Sequence, residues 1–514
     1  MFTNGNFDII KCMNQFRRAI TNPFPWMLLL SVAYFVIRLF HLTSLPIFTD
    51  EAIYIRWSQI GGNDASWRFI SLTDGKQPLF TWFVMISLRV IRDPLFAGRF
   101  VSVIAGYLSM IGMYLLTYEL FRDKRMGIIA CFLYCISPFT VMYDRLALYD
   151  ALVATFSIWN LYLAILLVRY IRLDVALFSG LFLGAGILNK TSAFLSIYFM
   201  PTTLILFDWK KYKRLYRIAL WTGLFIIAFI LSQIVYAVLR LSPFFYIVSQ
   251  KDALFIYPVR EWLKHPLEFF RGNLRGMFDW YITYMTWPVF IAALLSFVVK
   301  KTKNLEKILL TGWWILPFCA LALFGRILYP RFILFMAMPI LPLASYTTVI
   351  LWERIVSKTI KIFIIALIIG PSIILSRAIL SDITHASIAK GDIGQYVNDW
   401  PSGWGVPEVS VFLKNQSKSG PIAVYTEGTF GLLPYALEVY LIGNKNIEIH
   451  GIWPLPQKFP DDIRMMAVKK PTFFIANQTQ TKPDWPVKLI SSYQKGSNIQ
   501  SFMRLYQVVL PEGK

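Results

Sequence analysis

The chain has 514 residues, of which 56% are hydrophobic and only 16% charged, and its mean hydropathy is +0.54. Soluble domains are roughly 45–50% apolar and about 25% charged, so this composition excludes an ordinary soluble enzyme and points to a polytopic membrane protein. The 51 Lys+Arg against 29 Asp+Glu, net +22, lie in short clusters between apolar runs with no RNA-binding or finger motif; that speaks against nucleic acid and for topology-setting loops and lipid phosphates.

The chain begins with a polar, basic stretch carrying Lys11, Arg17 and Arg18. No small-residue cleavage site follows the first apolar run, which therefore reads as an uncleaved signal anchor. A membrane span needs about 20 apolar residues. About eleven candidates occur, near 25–42, 95–120, 127–142, 146–168, 175–188, 193–207, 218–239, 280–299, 308–324, 332–351 and 362–380. With the N-terminus in the cytoplasm, the clusters at 122–125, 169–172, 208–214, 300–307 and 353–361 all fall on the cytoplasmic side. An odd number of spans leaves the C-terminus extracytoplasmic. The same side then receives the loop 43–94, the tip 143–145, the turn 189–192, the loop 240–279 and the turn 325–331. Trp57, Trp67, Phe69, Phe80, Trp82 and Phe83 make the loop 43–94 an interfacial segment of short helices.

Residues 1–382 thus read as a transmembrane domain and 383–514 as a small α/β domain outside the membrane. The latter has strand-like runs at 421–427, 446–452, 472–477 and 502–510 and a helix-like run at 432–441. It contains no glycine-rich phosphate loop. The four cysteines, Cys12, Cys131, Cys135 and Cys319, imply no disulfide framework, and Cys131 and Cys135 share one face of an apolar helix.

The chemistry-bearing residues collect at the outer edge. In "FTDEAIYIRW", Thr49 is the expected helix N-cap, which places Asp50 and Glu51 in the first turn and Tyr54 and Trp57 on the face of Asp50. First-turn acids gain about 0.3–1 kcal/mol from the helix dipole, which alone would explain them. At an anionic lipid surface, however, uncompensated acids are disfavoured. In "TDGKQP", Asp74, Gly75 and Lys76 form a turn that offers Lys76 to a phosphate. Arg99 opens the second span, and "YDRLALYDAL" supplies Arg145 and Asp150, an ion pair or a substrate site. Lys190 ends another span, and "GRILYPRF" carries Arg326, Tyr329 and Arg331. Lys251, Arg260, Lys264, His265, Arg271 and Arg275 add basic groups in the long outer loop, where topology does not call for them.

No Asp, Glu, Lys or Arg falls in the middle of an expected span, which favours surface chemistry over a lipid or polysaccharide transporter or flippase, the alternative reading, and over a scaffold that only displays the tail. Asp50, Glu51 and Asp74 offer oxygen ligands to a hard divalent cation, whereas Glu261, His265 and Glu268 have helical ligand spacing interrupted by Pro266; whether a metal binds stays open.

Taken together and in order, these segments resemble the GT-C membrane glycosyltransferases of the protein O-mannosyltransferase and aminoarabinose transferase type. "DEAIY" resembles the family's Asp-Glu motif, and "KQPLFTW" its Lys-Pro-Pro-Leu stretch with Gln77 in place of a proline. "AGRFVSVIAG", "RLALYDAL", "GILNKTSAF" and "YPRFILFMAMPILPL" resemble its later Arg, Arg…Asp, Leu-Thr-Lys and Arg-plus-Pro segments. Gly75 stands where the aminoarabinose branch has an acid before the lysine, and "GWWILP" carries no Trp-Trp-Asp motif of the oligosaccharyltransferase branch. The resemblance implies a polyprenyl-phosphate-linked sugar as donor and an acceptor that is protein, glycan or lipid. On that reading Asp50 is the base, Glu51 orients acceptor or helix, and Tyr54 positions sugar or phosphate. Lys76, Arg99, Lys190 and Arg331 meet the lipid phosphate, in that order of preference, with Arg145, Asp150 and Tyr329 among the substrate-binding residues.

Overall fold

The computed structural model describes residues 23–300 and 302–510. The basic stretch with Lys11, Cys12, Arg17 and Arg18 lies outside the described residues.

Each expected span falls largely on helical residues. In chain order the helices are α1 (Pro23–Leu39), α2 (Thr49–Asn63), α3 (Leu79–Val90), α4 (Pro94–Phe121), α5 (Lys124–Ile136), α6 (Pro138–Tyr143), α7 (Tyr149–Tyr170) and α8 (Leu173–Asn189). Then come α9 (Phe194–Phe199), α10 (Arg214–Tyr236), α11 (Ile247–Phe255), α12 (Phe270–Met285), α13 (Trp287–Val299), α14 (Asn304–Phe324), α15 (Ile340–Arg354) and α16 (Lys358–Ser381). Among the described residues, five helical stretches are long and apolar enough to cross a membrane alone, and two bent pairs bring the number to seven. The protein is a multi-pass membrane protein.

Local chemistry sets several boundaries. The Asp93 side chain accepts from Phe96 N at 2.6 Å and Pro94 follows it, so α4 starts with a capped, preorganised first turn. The run 127–142 divides into α5 and α6 at Ser137, because Pro138 lacks the N–H a continuous helix needs. The run 280–299 departs more from expectation. It is two helices, α12 and α13, meeting at 99°. Thr286 takes φ 62° between them, and Pro288 sits in the first turn of α13.

Ion-paired side chains of the helices sort to two ends of the bundle. At one end Arg125 pairs with Glu353 (2.7 Å), and Arg169 with Glu119 (2.9 Å) and Glu306 (3.4 Å). These pairs tie together four of the clusters that the Lys/Arg bias assigned to one side. The opposite end holds Asp50, Asp150, Lys190 and Arg331.

Beyond α16, the segment 383–404 packs onto the helices before the sheet begins, so the tail is less separate than expected. Tyr143 and Tyr284 donate their hydroxyls to the buried Asp392 carboxylate. Pro401 O accepts from Thr49 N at 3.0 Å and from Thr49 Oγ1 at 2.9 Å. Helix α17 (Val406–Gln416) leads into a sheet of β1 (Ile422–Glu427), β2 (Ile447–Ile452), β3 (Thr472–Ala476), β4 (Val487–Lys495) and β5 (Asn498–Val508), in the order β2-β1-β3-β5-β4. Strand β1 is parallel to β2 and β3, and β5 is antiparallel to β3 and β4.

The period of two along a strand explains how the sheet carries a core on each face. Ile422 and Val424 join Val406, Val409 and Leu413 in the large core shared with the membrane helices. Ala423 and Tyr425 point the other way, to Ile463, Phe474 and Trp485. Strand β4 was not among the expected strands. It is an edge strand whose middle is exposed and polar, so it lacks the apolar alternation that betrays the others.

Candidate active site

Helix α2 is built differently from expectation at its start. Phe48, not Thr49, is the N-cap, and the Glu51 carboxylate reaches back to accept from Phe48 N at 3.0 Å, the half of a capping box that an acid at the third helical position supplies. Thr49 turns instead to Pro401. Glu51 is wholly buried. It accepts from Arg99 Nε (2.8 Å), Arg99 Nη2 (2.7 Å) and Ala147 N (2.7 Å) as well. Four donors saturate a carboxylate, so Glu51 orients the helix and has no lone pair left for an acceptor.

This arrangement removes Arg99 from the phosphate-binding set. Its guanidinium is 1% exposed and spent on Glu51 and the carbonyls of Leu42, Leu45 and Pro46. Arg145 is removed likewise. It donates to the carbonyls of Arg38 (3.2 Å), Phe40 (2.6 Å) and His41 (3.0 Å), closing the end of α1, and it is not the partner of Asp150.

The remaining residues converge. Asp50 leaves the first turn of α2 with Oδ2 on Arg331 Nη2 at 2.8 Å. Among the described residues nothing donates to its Oδ1, and the side chain is 24% exposed. Arg331 also reaches Asp150 Oδ2 (3.9 Å), Tyr396 Oη (3.0 Å) and Gln395 Oε1 (3.4 Å), and it stacks on the ring of Tyr329 at 4.7 Å. Asp150, in the first turn of α7, binds Lys190 Nζ at 2.7 Å, and Lys190 lies 4.4 Å over the Phe332 ring. Tyr54 lines the floor, buried against Trp57, Phe80 and Tyr149.

Lys76 stands opposite. Gly75 ends a 3₁₀ turn in the left-handed region (φ 67°) and aims the next side chain inward. Lys76 has no ion-pair partner among the described residues, and its ammonium sits 5.2 Å from the Phe255 ring. Burial pushes its pKa down to about 8; of the charges that act on it, Asp50 raises it most, while Lys190 and Lys251 lower it. Asp50 and Lys76 therefore share one electrostatic environment.

Gly75 has little freedom to change. A Cβ there would meet Lys251 Cβ at 2.5 Å and Ile247 O at 2.8 Å. Gly75→Ala is therefore expected to cost about 1 kcal/mol or more of stability and to loosen the Asp74–Lys251 pair (2.6 Å) that closes the turn. Thermal unfolding in detergent checks this; an unchanged midpoint would refute it.

The three carboxylates offered to a metal do not gather. Glu51 is saturated, Asp74 is paired with Lys251, and Asp50 with Arg331. Among the described residues no group of three His, Cys, Asp or Glu side chains comes together to hold an ion. Paired in this way, the three carboxylates do not form one ligand set for a metal.

Several residues of the site had escaped the sequence reading. Asp252, on α11, feels Lys76 and Lys190, and burial raises its pKa above the usual carboxylate range. Asp392, Gln395 and Tyr396 come from the segment that had been assigned to a separate domain. Tyr149 was legible, since it immediately precedes Asp150.

The family model of dolichyl-phosphate-mannose-protein mannosyltransferase matches residues 75–236, which include Lys76, Asp150 and Lys190. Among solved structures the chain is similar to ArnT from Cupriavidus metallidurans bound to undecaprenyl phosphate, at 13% identity and a TM-score of 0.55 over 95% of this chain and 99% of that one. The apo state of the same protein gives 14% and 0.54 with equal coverage. The Archaeoglobus fulgidus oligosaccharyltransferase in complex with Zn and sulfate gives 14% and 0.51 over 88% of this chain and 68% of that one. No curated protein sequence matches the chain. At these identities the likeness is one of fold: the chain has the GT-C fold, with a small C-terminal sheet domain.

Proposed function

We propose that the chain is a membrane glycosyltransferase that moves a sugar from a polyprenyl phosphate to an acceptor on the extracytoplasmic side, with inversion at the anomeric carbon. The observation that carries this reading is that Asp50, whose Oδ1 is open, and Lys76, a cation without an ion-pair partner among the described residues, lie close enough for the Asp50 charge to act on Lys76. The family model, and the undecaprenyl phosphate bound to ArnT, support a lipid phosphate as the ligand of that cation.

In the reaction, the acceptor oxygen or nitrogen attacks the anomeric carbon while its proton passes to Asp50 Oδ1. The bond from that carbon to the phosphate oxygen breaks, and the electron pair leaves with the polyprenyl phosphate. Lys76 meets the charge that grows on the leaving phosphate, with Lys190 behind it. Arg331 holds the Asp50 carboxylate in one rotamer, and Asp150 holds Lys190. Orientation follows the Lys/Arg bias: the end joined by Arg125, Arg169 and their partners faces the cytoplasm, and the C-terminal sheet lies outside.

The direct test is to incubate the purified chain with a labelled polyprenyl-phosphate hexose and an acceptor panel of peptides, glycans and glycolipids. Loss of label from the lipid is expected with at least one acceptor; a donor that stays intact with all of them would overturn the reading.

The Lys76 pKa predicts a pH profile. The ammonium is present below about pH 8 and lost above it, so kcat/KM for the donor should fall as pH rises through that value. Lys76→Arg keeps its charge throughout and should remove the alkaline limb even if the absolute rate drops. An alkaline limb that persists in this variant would assign it to another group.

A further inference from the structure

A second concavity, of mixed polar and apolar lining, adjoins the Asp50 cluster. It is a cleft of ≈ 390 Å³ between the segment after α16 and the C-terminal sheet, lined by Lys390, Gln395, Asp399, Trp400, Gln478 and Ser501. This volume falls within the range of about 300–1,000 Å³ that small-molecule sites occupy. Two links join it to the site already described. Gln395 Oε1 accepts from Arg331 Nη1 at 3.4 Å, and Pro401, also in the cleft wall, accepts from Thr49 immediately before Asp50.

Both rims of the cleft are held by buried charges of the C-terminal domain. Glu427, 2% exposed at the end of β1, accepts from the backbone N–H of Asn477 (2.7 Å), Gln478 (2.7 Å) and Thr479 (2.9 Å). This fixes the loop that presents Gln478. Lys495, fully buried in β4, donates to Trp400 O (3.1 Å) and Ser402 O (2.6 Å), and Asn477 Nδ2 adds a bond to the same Trp400 carbonyl at 3.0 Å. The Trp400 carbonyl is thus anchored by two donors, while its side chain stays 44% exposed. Burying a polar group is costly unless its bonds are made, so the buried Glu427 and Lys495 side chains are committed to holding an open indole and a loop of amides in place.

The chemistry of the lining points to one ligand class. One cation, Lys390, and one anion, Asp399, leave the cleft with no surplus for a phosphate or a carboxylate ligand. The other polar side chains are three amides, Gln395, Gln478 and Gln480, and the Ser501 hydroxyl, all of which both donate and accept. A sugar ring has the matching surface: a rim of hydroxyls that donate and accept, and a face of C–H groups that packs on an aromatic plane. Building on the glycosyltransferase reading above, we propose that this cleft is the acceptor subsite and that the acceptor is a neutral carbohydrate. Trp400 stacks beneath one sugar unit, Gln395, Asp399 and Gln478 bind its hydroxyls, and the unit to be extended reaches past Gln395 to Asp50.

The test separates this subsite from the transfer chemistry. The full chain in detergent, labelled with a fluorophore, is applied to an array of neutral oligosaccharides and Ser/Thr-containing peptides. Retention on a subset of the glycans is expected. Trp400→Ala should weaken it about tenfold, the upper range of a lost aromatic contact, Gln478→Ala should weaken it less, and Trp400→Phe should restore most of it. Both side chains are exposed, so unchanged unfolding midpoints are expected alongside. Absence of glycan retention, retention on peptides alone, or Trp400→Ala and Gln478→Ala proteins that bind glycans like the parent would each overturn the subsite. So would a Trp400→Ala effect confined to liposome association, which would make the indole a membrane anchor. Donor cleavage is assayed separately; its absence would remove the transferase reading and leave the glycan result standing on its own.

Discussion

Asp50→Asn is expected to lower turnover of a polyprenyl-phosphate sugar by about 10²–10⁴-fold, the usual contribution of a positioned general base. The substitution is chosen for what it preserves. An amide oxygen still accepts from Arg331 Nη2, which now lies 2.8 Å from Asp50 Oδ2, so the arginine keeps a partner and the α2 turn keeps its shape. What disappears is the ability of Oδ1 to take the acceptor's proton. Asp50→Asn also removes the charge that most raises the Lys76 pKa, so the comparison belongs at mildly acidic pH, where the ammonium is kept; there the KM for the donor should change little, and the loss should fall on kcat. The unfolding midpoint should stay near that of the parent. A variant that turns over normally would dismiss Asp50 as the base. One that loses donor affinity with kcat intact would make it a binding group instead.

The split between Asp50 and its neighbour shows how far sequence reading reaches in this chain. Ionisable residues are expensive near lipid, so Asp50, Lys76, Asp150, Lys190 and Arg331 stand out in any pass along it, and their common end follows from counting spans. Glu51, Arg99 and Arg145 stand out for the same reason, yet they belong to the frame. What separates the groups is pairing across distant chain segments: Glu51 finds Arg99 and Ala147, and Arg145 finds three carbonyls at the end of α1. Nothing local in the sequence encodes those choices. The same limit hid Tyr396 and Asp392, which enter the site only because the segment after α16 folds back onto the helices. The bend at Thr286 was closer to legible, since Pro288 marks it, but an uninterrupted apolar run masked the signal.

That frame carries the second large expectation. Glu51→Ala should destabilise the protein by about 3–5 kcal/mol, because it strands the Arg99 guanidinium in a buried site. Arg99→Ala should cost a similar amount by stranding Glu51, and it also leaves the carbonyls of Leu42 and Leu45, each now 2.8 Å from Nη1, without that donor. The paired change Glu51→Leu with Arg99→Met should be much milder than the sum of the single ones, since no buried charge is left alone. Unfolding midpoints in one detergent measure all of these. The network also binds Ala147 N, three residues before Asp150, and the N-cap of the helix that carries Asp50. Activity should therefore fall in step with stability and return as the assay is cooled, unlike the temperature-independent loss expected of Asp50→Asn. If Glu51→Ala kept the parent's midpoint and yet turned over no donor, Glu51 would belong at the reacting atoms and the division between frame and site would fail.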